Sequence, residues 1–315
     1  MNTLVLEEMP DLFWQKIEEK GWRKYFFQPE TIPATYKIEI VIIRTKTVFN
    51  RAMFRKFPAL KMIIRAGSGF DNIDILEAEK RNVTVCNTPE ANAISAYEHT
   101  ISFIMALIKQ HQTAKQNILK GNWKTGLTDN LELSDLNALI VGVGRVGTRV
   151  AKALQYFGAE VKGVDPYLSK TEWHKKEVES IKYHDGIKWC NLISYHCPLT
   201  YETKNYFNDT TISLLEQPIW LVNTARGGII SENALAAGLE CGKLLGFATD
   251  VFSVEPFTAI DYADFSNVIL TPHIGSFTRK AKNRISLEIL EVWSKFVHHN
   301  LVVSGINKKY FLLNK

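Results

Sequence analysis

The chain has 315 residues, of which 46% are hydrophobic and 23% charged, and its net charge is +5. This composition is typical of a globular protein with about two domains, and it excludes a disordered, collagen-like or low-complexity chain. Five surplus positive charges form no basic stripe over this length. We therefore expect no nucleic-acid partner, although the charge slightly favours an anionic small molecule.

The cysteines and the hydropathy indicate a cytoplasmic protein. The four cysteines form no C-x-x-C pair, which is typical of free thiols in a reducing compartment. The N-terminus turns acidic at Glu7 and Glu8, where a signal peptide would be apolar. The longest apolar run, over residues 100–108, is much shorter than the roughly 20 residues that span a bilayer. We expect no membrane partner.

Short β-branched runs alternate with helical segments in the first part of the chain. Strands are predicted over 36–44, 61–65 and 83–86, and helices over 50–57 and 74–81. This alternation predicts a parallel sheet with helices on both of its faces. The apolar runs do not alternate strictly with polar residues, as expected for strands that are buried on both sides.

A second series of strands and helices follows a long helical pattern. Residues 93–120 contain no Gly or Pro, and they predict one long helix that bridges two domains. The later strands are predicted over 138–141, 160–164, 191–195, 220–222, 246–249 and 268–270, and a last helix over 278–297. The predicted fold class is α/β, with two doubly wound lobes of parallel sheet.

The strongest local signal is a G-x-G-x-x-G motif, formed by Gly142, Gly144 and Gly147 between a strand and a helix. The first glycine allows a tight turn, the second lets the backbone approach a pyrophosphate, and the third lets helix and strand pack closely. The helix N-terminus beside Arg145 offers N–H groups to phosphates. Asp165 lies 18 residues after Gly147, where an acid binds the adenosine ribose and repels a 2′-phosphate. The pattern predicts an NAD site. A glycine turn without a ligand and a carboxylate that only caps the next turn are the alternatives.

Reactive residue types follow three later predicted strands. Arg226 follows the first, Asp250 and Glu255 follow the second, and His273 follows the third. Because the carboxyl ends of parallel strands meet at one edge of a sheet, we expect these side chains to lie close together. Taken singly, each residue has a plainer interpretation, such as a helix cap, a solvated turn or a structural histidine.

The motifs and their order resemble the D-isomer-specific 2-hydroxyacid dehydrogenase family over nearly the whole chain. The resemblance rests on residues 65–74 (RAGSGFDNID), 142–147 with Asp165, 196–200 (HCPLT), 223–228 (NTARGG), 250–256 (DVFSVEP) and 272–275 (PHIG). It implies a Rossmann NAD-binding domain, expected over 96–284. It also implies a flavodoxin-like substrate domain built from both chain ends, expected over 1–95 and 285–315.

The resemblance implies three catalytic residues, each with a role that its chemistry supports. His273 would be the general acid and base, and Glu255 would orient its imidazole and stabilise the protonated form. Arg226 would hold the substrate carboxylate and polarise the carbonyl group. The acceptor of the hydride would be NAD, and no metal is expected.

The resemblance also assigns binding residues. Asp250 would bind the nicotinamide carboxamide, and the N–H groups of Gly67, Ser68 and Gly69 would bind the substrate carboxylate. The full set of expected NAD contacts is Gly142, Gly144, Arg145, Val146, Gly147, Asp165, Cys197, Pro198, Thr224, Ala225, Arg226, Asp250, His273 and Gly275.

The choice of substrate depends on two further arginines. Arg44 and Arg65 lie at predicted strand ends, in a pattern similar to the 3-phosphoglycerate dehydrogenase branch, where cations face the substrate phosphate. Alternatively, both side chains extend to solvent from the sheet edge, and the substrate is glyoxylate, hydroxypyruvate or a D-lactate-type acid. A different class of function is an NAD-sensing, corepressor-like binding protein. The resemblance further implies a homodimer formed through the nucleotide domain.

Overall fold

The structure is a computed structural model, and it describes residues 1–30, 37–256 and 262–307. The chain divides into two compact units. Unit 1 comprises Met1–Ala93 and Phe277–Lys315, and unit 2 comprises Ile94–Ser276. Unit 1 includes the whole of the last helix, whereas the boundary expected at residue 285 would divide that helix.

The described residues contain twelve strands and eleven α-helices. The strands are β1 Thr3–Val5, β2 Phe26–Phe27, β3 Ile40–Ile43, β4 Met62–Arg65, β5 Thr84–Asn87, β6 Asn137–Val141, β7 Glu160–Val164, β8 Glu179–Ser180, β9 Leu192–Tyr195, β10 Ile219–Asn223, β11 Leu244–Thr249 and β12 Val268–Leu270. The helices are α1 Asp11–Glu19, α2 Arg51–Lys56, α3 Ile75–Lys80, α4 Ala93–Ile108, α5 His111–Leu119, α6 Arg145–Tyr156, α7 Lys170–Lys176, α8 Tyr183–Trp189, α9 Asp209–Leu214, α10 Glu232–Glu240 and α11 Arg279–His299.

Unit 1 contains a five-stranded parallel sheet in the order β2-β1-β3-β4-β5. This is the flavodoxin-like strand order. All residues of β3 and β4 are buried, because helices cover both faces of a parallel sheet, and this explains their continuous β-branched sequences.

Unit 2 contains a seven-stranded parallel sheet in the order β12-β11-β10-β9-β6-β7-β8. Counted from β6, this is the Rossmann order with one more strand at the β12 edge. The strand order reverses between β6 and β9, where open α/β sheets bind ligands. The prediction of two α/β lobes, one Rossmann and one flavodoxin-like, is confirmed.

The single long helix predicted over 93–120 is wrong. The structure has two helices, α4 and α5, because Gln110 between them takes a left-handed conformation with φ 51°. The Gln110 side chain donates to the Thr128 carbonyl at 2.8 Å and to Asn130 Oδ1 at 2.9 Å. The Thr128 N–H donates back to Gln110 Oε1 at 3.2 Å. These partners lie outside the helical segment, so its local pattern contains no sign of the break.

The other predicted elements differ from the structure mainly at their ends. The strand predicted over 36–44 is observed as β3, and residue 36 lies outside the described part of the chain. Asn50, Asp74 and Thr278, the predicted first residues of three helices, are N-caps whose side chains accept backbone N–H bonds. The short strands β1, β2 and β8 were not predicted, since two or three residues show no periodicity.

The two ends of the chain share one hydrophobic core in unit 1. Trp293 of α11 is fully buried, and its indole N–H donates to Thr3 Oγ1 of β1 at 2.8 Å. Its ring lies 4.9 Å from Trp22 and 4.8 Å from Phe26. The last helix therefore fills the space beside the first two strands. Among the described residues, no helix combines the length and the hydropathy that crossing a membrane requires.

Replacing Trp293 tests whether the two ends of the chain share one core. Trp293→Ala is expected to lower the free energy of unfolding by about 3–5 kcal/mol, because it removes a buried indole and leaves a cavity. Leu287→Ala is the control on the same helix, since Leu287 is 49% exposed, and its effect should stay within about 0.5 kcal/mol. Denaturant unfolding followed by circular dichroism measures both. Equal effects of the two variants would contradict a core that joins the chain ends.

Candidate functional site

Six parallel strands of unit 2 end at the same edge of the sheet, and the residues that follow them form the candidate site. In strand order from β6, these first residues are Gly142, Asp165, His196, Thr224, Asp250 and Thr271. Every motif that the sequence singled out in this unit is therefore at the carboxyl edge, which is where open α/β sheets bind ligands.

His273 and Glu255 form a hydrogen-bonded pair at this edge. His273 Nδ1 lies 2.6 Å from Glu255 Oε2, and the Phe252 N–H donates to Glu255 Oε1 at 3.0 Å. Burial acts to raise the pKa of Glu255, but the hydrogen bonds from His273 and Phe252 and the nearby charge of Arg226 outweigh it, so the pKa lies below its ordinary value. Glu255 is thus a carboxylate that only accepts, and His273 Nδ1 carries the proton between them.

Arg226 is brought to this pair by a tight turn after β10. The Asn223 side chain accepts the Ala225 N–H at 3.0 Å and donates to the Arg226 carbonyl at 2.9 Å. A Cβ atom on Gly227 would lie 2.0 Å from the Phe252 carbonyl carbon, so only glycine lets the two loops pack this closely. The turn thereby places the guanidinium near enough to Glu255 to lower its pKa.

Asp250 is 3% exposed and holds the turn that contains His273. Its Oδ1 accepts from the Thr271 hydroxyl at 2.5 Å and from the Ile274 N–H at 2.7 Å, and its Oδ2 accepts from the Gly275 N–H at 2.7 Å. Burial would raise the pKa of Asp250, but the nearby His99 imidazole and these hydrogen bonds outweigh it and hold the pKa below its ordinary value. The carboxylate is therefore charged at neutral pH, and three of its acceptor positions are used within the protein.

The glycine motif leaves space for a ligand at one position only. Gly142 has φ 92°, and a Cβ there would lie 2.6 Å from the Cys197 amide nitrogen. A Cβ on Gly147 would lie 2.0 Å from the Gly142 carbonyl oxygen. In contrast, a Cβ on Gly144, the N-cap of α6, would meet no atom within 4 Å. The open space at a helix N-terminus fits a pyrophosphate.

Asp165 has a local structural role that differs from the predicted ribose contact. Its Oδ2 accepts the Val143 N–H of the glycine turn at 3.0 Å, and its Oδ1 accepts the Tyr167 N–H at 3.1 Å. The alternative of a turn cap is thus observed. Each carboxylate oxygen has a second acceptor position, so the half-buried group fits a ribose hydroxyl as well.

Cys197 and its neighbour His196 do not offer reactive groups. Burial raises the pKa of the Cys197 thiol to about 12. Burial also lowers the pKa of His196 to about 3, and its Nε2 lies 2.9 Å from Ser194 Oγ. The Cys197 backbone packs against Gly142, so this segment fits a lining role beside a dinucleotide and not a chemical one.

The glycine-rich loop of unit 1 differs from the expectation in one respect. The N–H of buried Gly67 donates to Thr88 Oγ1 at 2.6 Å, so it is already used within the protein. With φ 123°, Gly67 instead shapes the turn beside the Arg65 guanidinium. The N–H groups that suit a substrate carboxylate are those of exposed Ser68 and half-buried Gly69.

Two predicted substrate-binding residues of unit 1, Arg44 and Arg65, lie at the carboxyl ends of the neighbouring strands β3 and β4. Ile43 pairs with Arg65 in the parallel register of β3 and β4, so Arg44 follows directly beside Arg65. Arg65 is buried, and its guanidinium donates to the Ala66 carbonyl at 2.9 Å. The Arg44 guanidinium donates to the Glu8 carbonyl at 3.0 Å. Glu7 fixes the loop by accepting the Arg44 N–H at 2.8 Å.

The sequence motifs did not reveal the residues that support the site. Asn223 lies inside the NTARGG motif, where an Asn that bonds two residues ahead was a usable signal. Thr271 and His99 have no such local signal, because they act on Asp250 across 21 and 151 positions of chain. Glu7 likewise acts on a loop 37 residues away.

The Rossmann sheet carries an open glycine turn, Asp165 and a hydrogen-bonded Glu–His pair at its carboxyl edge. This arrangement is typical of a dinucleotide-binding protein with acid–base groups. Residues 101–275, more than half of the chain, match the model of the D-isomer specific 2-hydroxyacid dehydrogenase NAD binding domain. The chain belongs to this family.

Individual proteins that are similar to this chain are dehydrogenases by their descriptions. The chain is 36% identical to the D-3-phosphoglycerate dehydrogenase of Bacillus subtilis over 86% of its length and 52% of that protein. It is 34% identical to the human D-3-phosphoglycerate dehydrogenase over 82% of its length and 49% of that protein. The chain thus spans about half the length of these relatives. A D-lactate dehydrogenase from Aquifex aeolicus, solved with NAD and lactic acid, matches with TM-score 0.83 and 27% identity over 95% of this chain and 96% of that one.

Two glycine variants separate folding from dinucleotide binding. Gly144→Ala should leave stability within about 0.5 kcal/mol of the wild type, yet raise the Kd for NADH about tenfold or more, because the methyl group occupies the phosphate position. Gly142→Ala should cost at least about 1–2 kcal/mol of stability, since its φ is positive and its Cβ would strike backbone. Thermal unfolding and NADH fluorescence titration measure the two effects. Wild-type NADH affinity in Gly144→Ala would contradict the site.

Proposed function

We propose that the protein is an NAD-dependent oxidoreductase, which transfers hydride between nicotinamide and a D-2-hydroxy acid or its 2-keto acid. The observation that carries this proposal is the 2.6 Å contact of His273 with Glu255 at the edge that also bears the glycine turn. A protein that only binds a dinucleotide has no use for an acid–base pair there.

When bound, the nicotinamide supplies the hydride chemistry, and the residues of the chain supply protons, charge and position. His273 uses Nδ1 to contact Glu255, so Nε2 is the nitrogen that serves the substrate. In reduction, Nε2–H would give its proton to the keto oxygen of the substrate. In oxidation, neutral Nε2 takes the hydroxyl proton. The Glu255 carboxylate stabilises the resulting imidazolium.

Arg226 is proposed to bind the substrate carboxylate and to polarise the carbonyl oxygen. Its guanidinium is planar, always charged and able to bind a carboxylate through two parallel N–H bonds. The Glu255 carboxylate, which is close to both cationic groups, would then offset part of the repulsion between them. The proposed substrate carboxylate donors of unit 1 are the N–H groups of Ser68 and Gly69.

The residues proposed to bind NAD all lie at the carboxyl edge of the unit 2 sheet. Gly144, Arg145 and Val146 at the start of α6 would contact the pyrophosphate, and Asp165 would contact the adenosine ribose. The Asp165 carboxylate repels a 2′-phosphate, which supports NAD over NADP. Cys197, Pro198, Thr224 and Ala225 would line the nicotinamide end, together with Gly275.

The proposed substrate is 3-phosphoglycerate or, in reverse, 3-phosphohydroxypyruvate. Two features support it: relatives from Bacillus subtilis and human are described as D-3-phosphoglycerate dehydrogenases, and Arg44 and Arg65 lie at the carboxyl ends of neighbouring strands. The alternative is a glyoxylate, hydroxypyruvate or D-lactate-type acid, since the Aquifex aeolicus structure is a D-lactate dehydrogenase.

A panel assay tests the reaction and the substrate together. NADH oxidation is measured with 3-phosphohydroxypyruvate, hydroxypyruvate, glyoxylate, pyruvate and a branched 2-keto acid. His273→Ala should lower turnover about 100-fold or more while NADH still binds, and exposed His184→Ala is the matched control. Unchanged turnover in His273→Ala would contradict the mechanism. NADH binding without turnover on any acid would favour the corepressor-like alternative.

The same assay decides the phosphate assignment. Arg44→Ala should raise the KM for 3-phosphohydroxypyruvate about tenfold or more, because it removes a charge-assisted contact, and leave the KM for pyruvate unchanged. Equal changes for both acids would contradict a phosphate contact at Arg44.

A cytoplasmic homodimer is the proposed assembly. Free cysteines at all four positions support a reducing compartment. Unit 2 exposes apolar side chains close together in sequence, with Leu119 at 75% and Trp123 at 74%, which supports an interface there. Trp123→Glu should shift the protein from dimer to monomer in sedimentation velocity, whereas Tyr201→Glu, at a 99% exposed control position, should not. A monomeric wild type would contradict the dimer.

A further inference from the structure

The turn that presents His273 depends on one buried carboxylate. His273 itself has φ 53°, a conformation that non-glycine residues rarely adopt. Such a residue persists only where its surroundings over-determine it. Asp250 supplies that constraint, since it accepts the N–H groups of both residues that follow His273, Ile274 and Gly275, each at 2.7 Å.

A second histidine reaches this carboxylate from helix α4. His99 Nε2 lies 3.1 Å from Thr271 Oγ1 and 3.6 Å from Asp250 Oδ1. The imidazole also packs against Phe103, with the two ring centroids 4.3 Å apart. A Cβ on Gly275 would lie 3.4 Å from His99 Cδ2 and 2.9 Å from Asp250 Oδ2, so imidazole, carboxylate and turn form one packed layer.

The direction of the hydrogen bonds follows from counting protons. The Thr271 hydroxyl has one hydrogen, which it donates to Asp250 Oδ1 at 2.5 Å. Its oxygen must therefore accept at the contact with His99, so His99 Nε2 carries a proton. The bonds run from His99 Nε2–H to Thr271 Oγ1–H and on to Asp250 Oδ1, which also receives the Ile274 N–H.

We propose that His99 is a positioning residue for His273, acting through Thr271 and Asp250. The inference rests on the proposed function, in which His273 is the acid and base. Without the His99 donor, the Thr271 hydroxyl is free to rotate away from Asp250. The carboxylate then loses one of the contacts that aim it at the 271–275 turn, and the His273 imidazole loses its fixed orientation towards Glu255.

The geometry also separates this role from cofactor binding. The two Asp250 oxygens accept three strong hydrogen bonds within the protein, and the side chain is almost completely buried. Removal of His99 should therefore affect the conformation of the turn that contains His273 more than it affects the binding of a ligand. The loss should appear in kcat, while NADH affinity stays near that of the wild type.

Three variants test the proposal. His99→Leu removes the donor, His99→Gln keeps an N–H group near the Nε2 position, and Thr271→Val removes the bridging hydroxyl by another route. His111→Leu, at an exposed histidine of the next helix, is the control. Each variant is measured for hydrogen–deuterium exchange of the 271–276 segment without ligand, for kcat and KM in the NADH-dependent assay, and for NADH affinity.

His99→Leu and Thr271→Val should each speed exchange of the 271–276 segment about tenfold. Both should lower kcat about 10- to 100-fold, since small misplacement of a catalytic group is costly, with KM and the Kd for NADH within about threefold. His99→Gln should recover most of both effects. Unchanged exchange in His99→Leu and Thr271→Val would overturn the proposal, as would a rise in the NADH Kd that matches the loss of kcat.

The exchange measurement distinguishes this proposal from the proposed function. If the wild type turns over no acid in the panel, the proposed reaction fails. Faster exchange in His99→Leu, restored in His99→Gln, would still support the hydrogen-bond chain to the 271–275 turn.

Discussion

The parallel direction of all seven strands in unit 2 is the constraint on which its chemistry depends. Parallel strands place every carboxyl end at one edge, so the loops that leave the strands all begin at that edge. One edge thus collects residues from several separate loops. The glycine turn, Asp165, Arg226, Glu255 and His273 are distant in sequence and share only this position.

In both units, a carboxylate accepts backbone N–H groups of a loop that follows a strand. Glu7 accepts the N–H groups of Arg44, Lys46 and Thr47 after β3, and Asp250 accepts those of two residues after β12. In each case burial would raise the pKa of the carboxyl group, and the backbone donors help to lower it. A carboxylate oxygen accepts more than one N–H bond, so a single acid holds several N–H groups of one turn. The same arrangement occurs at the carboxyl edge of both parallel sheets.

Much of this arrangement could be predicted from the sequence, because its signals are local. The glycine motif, the ends of β7 and β12 and the N-caps Asn50 and Thr278 depend on residues within a few positions of each other. The break at Gln110 could not be predicted, since its hydrogen-bond partners lie eighteen or more residues away. The engagement of the Gly67 N–H by Thr88 is hidden for the same reason.

Hydrogen bonds between residues distant in sequence also limit how far a motif alone can predict the role of a residue. Family likeness assigns Asp250 to a ligand, yet three of its acceptor positions serve its own chain. The motif identifies the residue, whereas the count of donors around it depends on Thr271 and His99, which only the folded chain brings together.

The hydrogen bond between Trp293 and Thr3 joins residues 290 positions apart, and it orders events on the ribosome. At roughly 5–20 residues per second, about 15–60 s separate the synthesis of these two residues. Unit 2 is one continuous stretch of chain and is synthesised whole during that time. The apolar face of the first strands of unit 1 stays exposed until α11 has been synthesised, because α11 covers that face. The nascent segment that contains these strands is therefore the part of this protein that we expect a chaperone to bind.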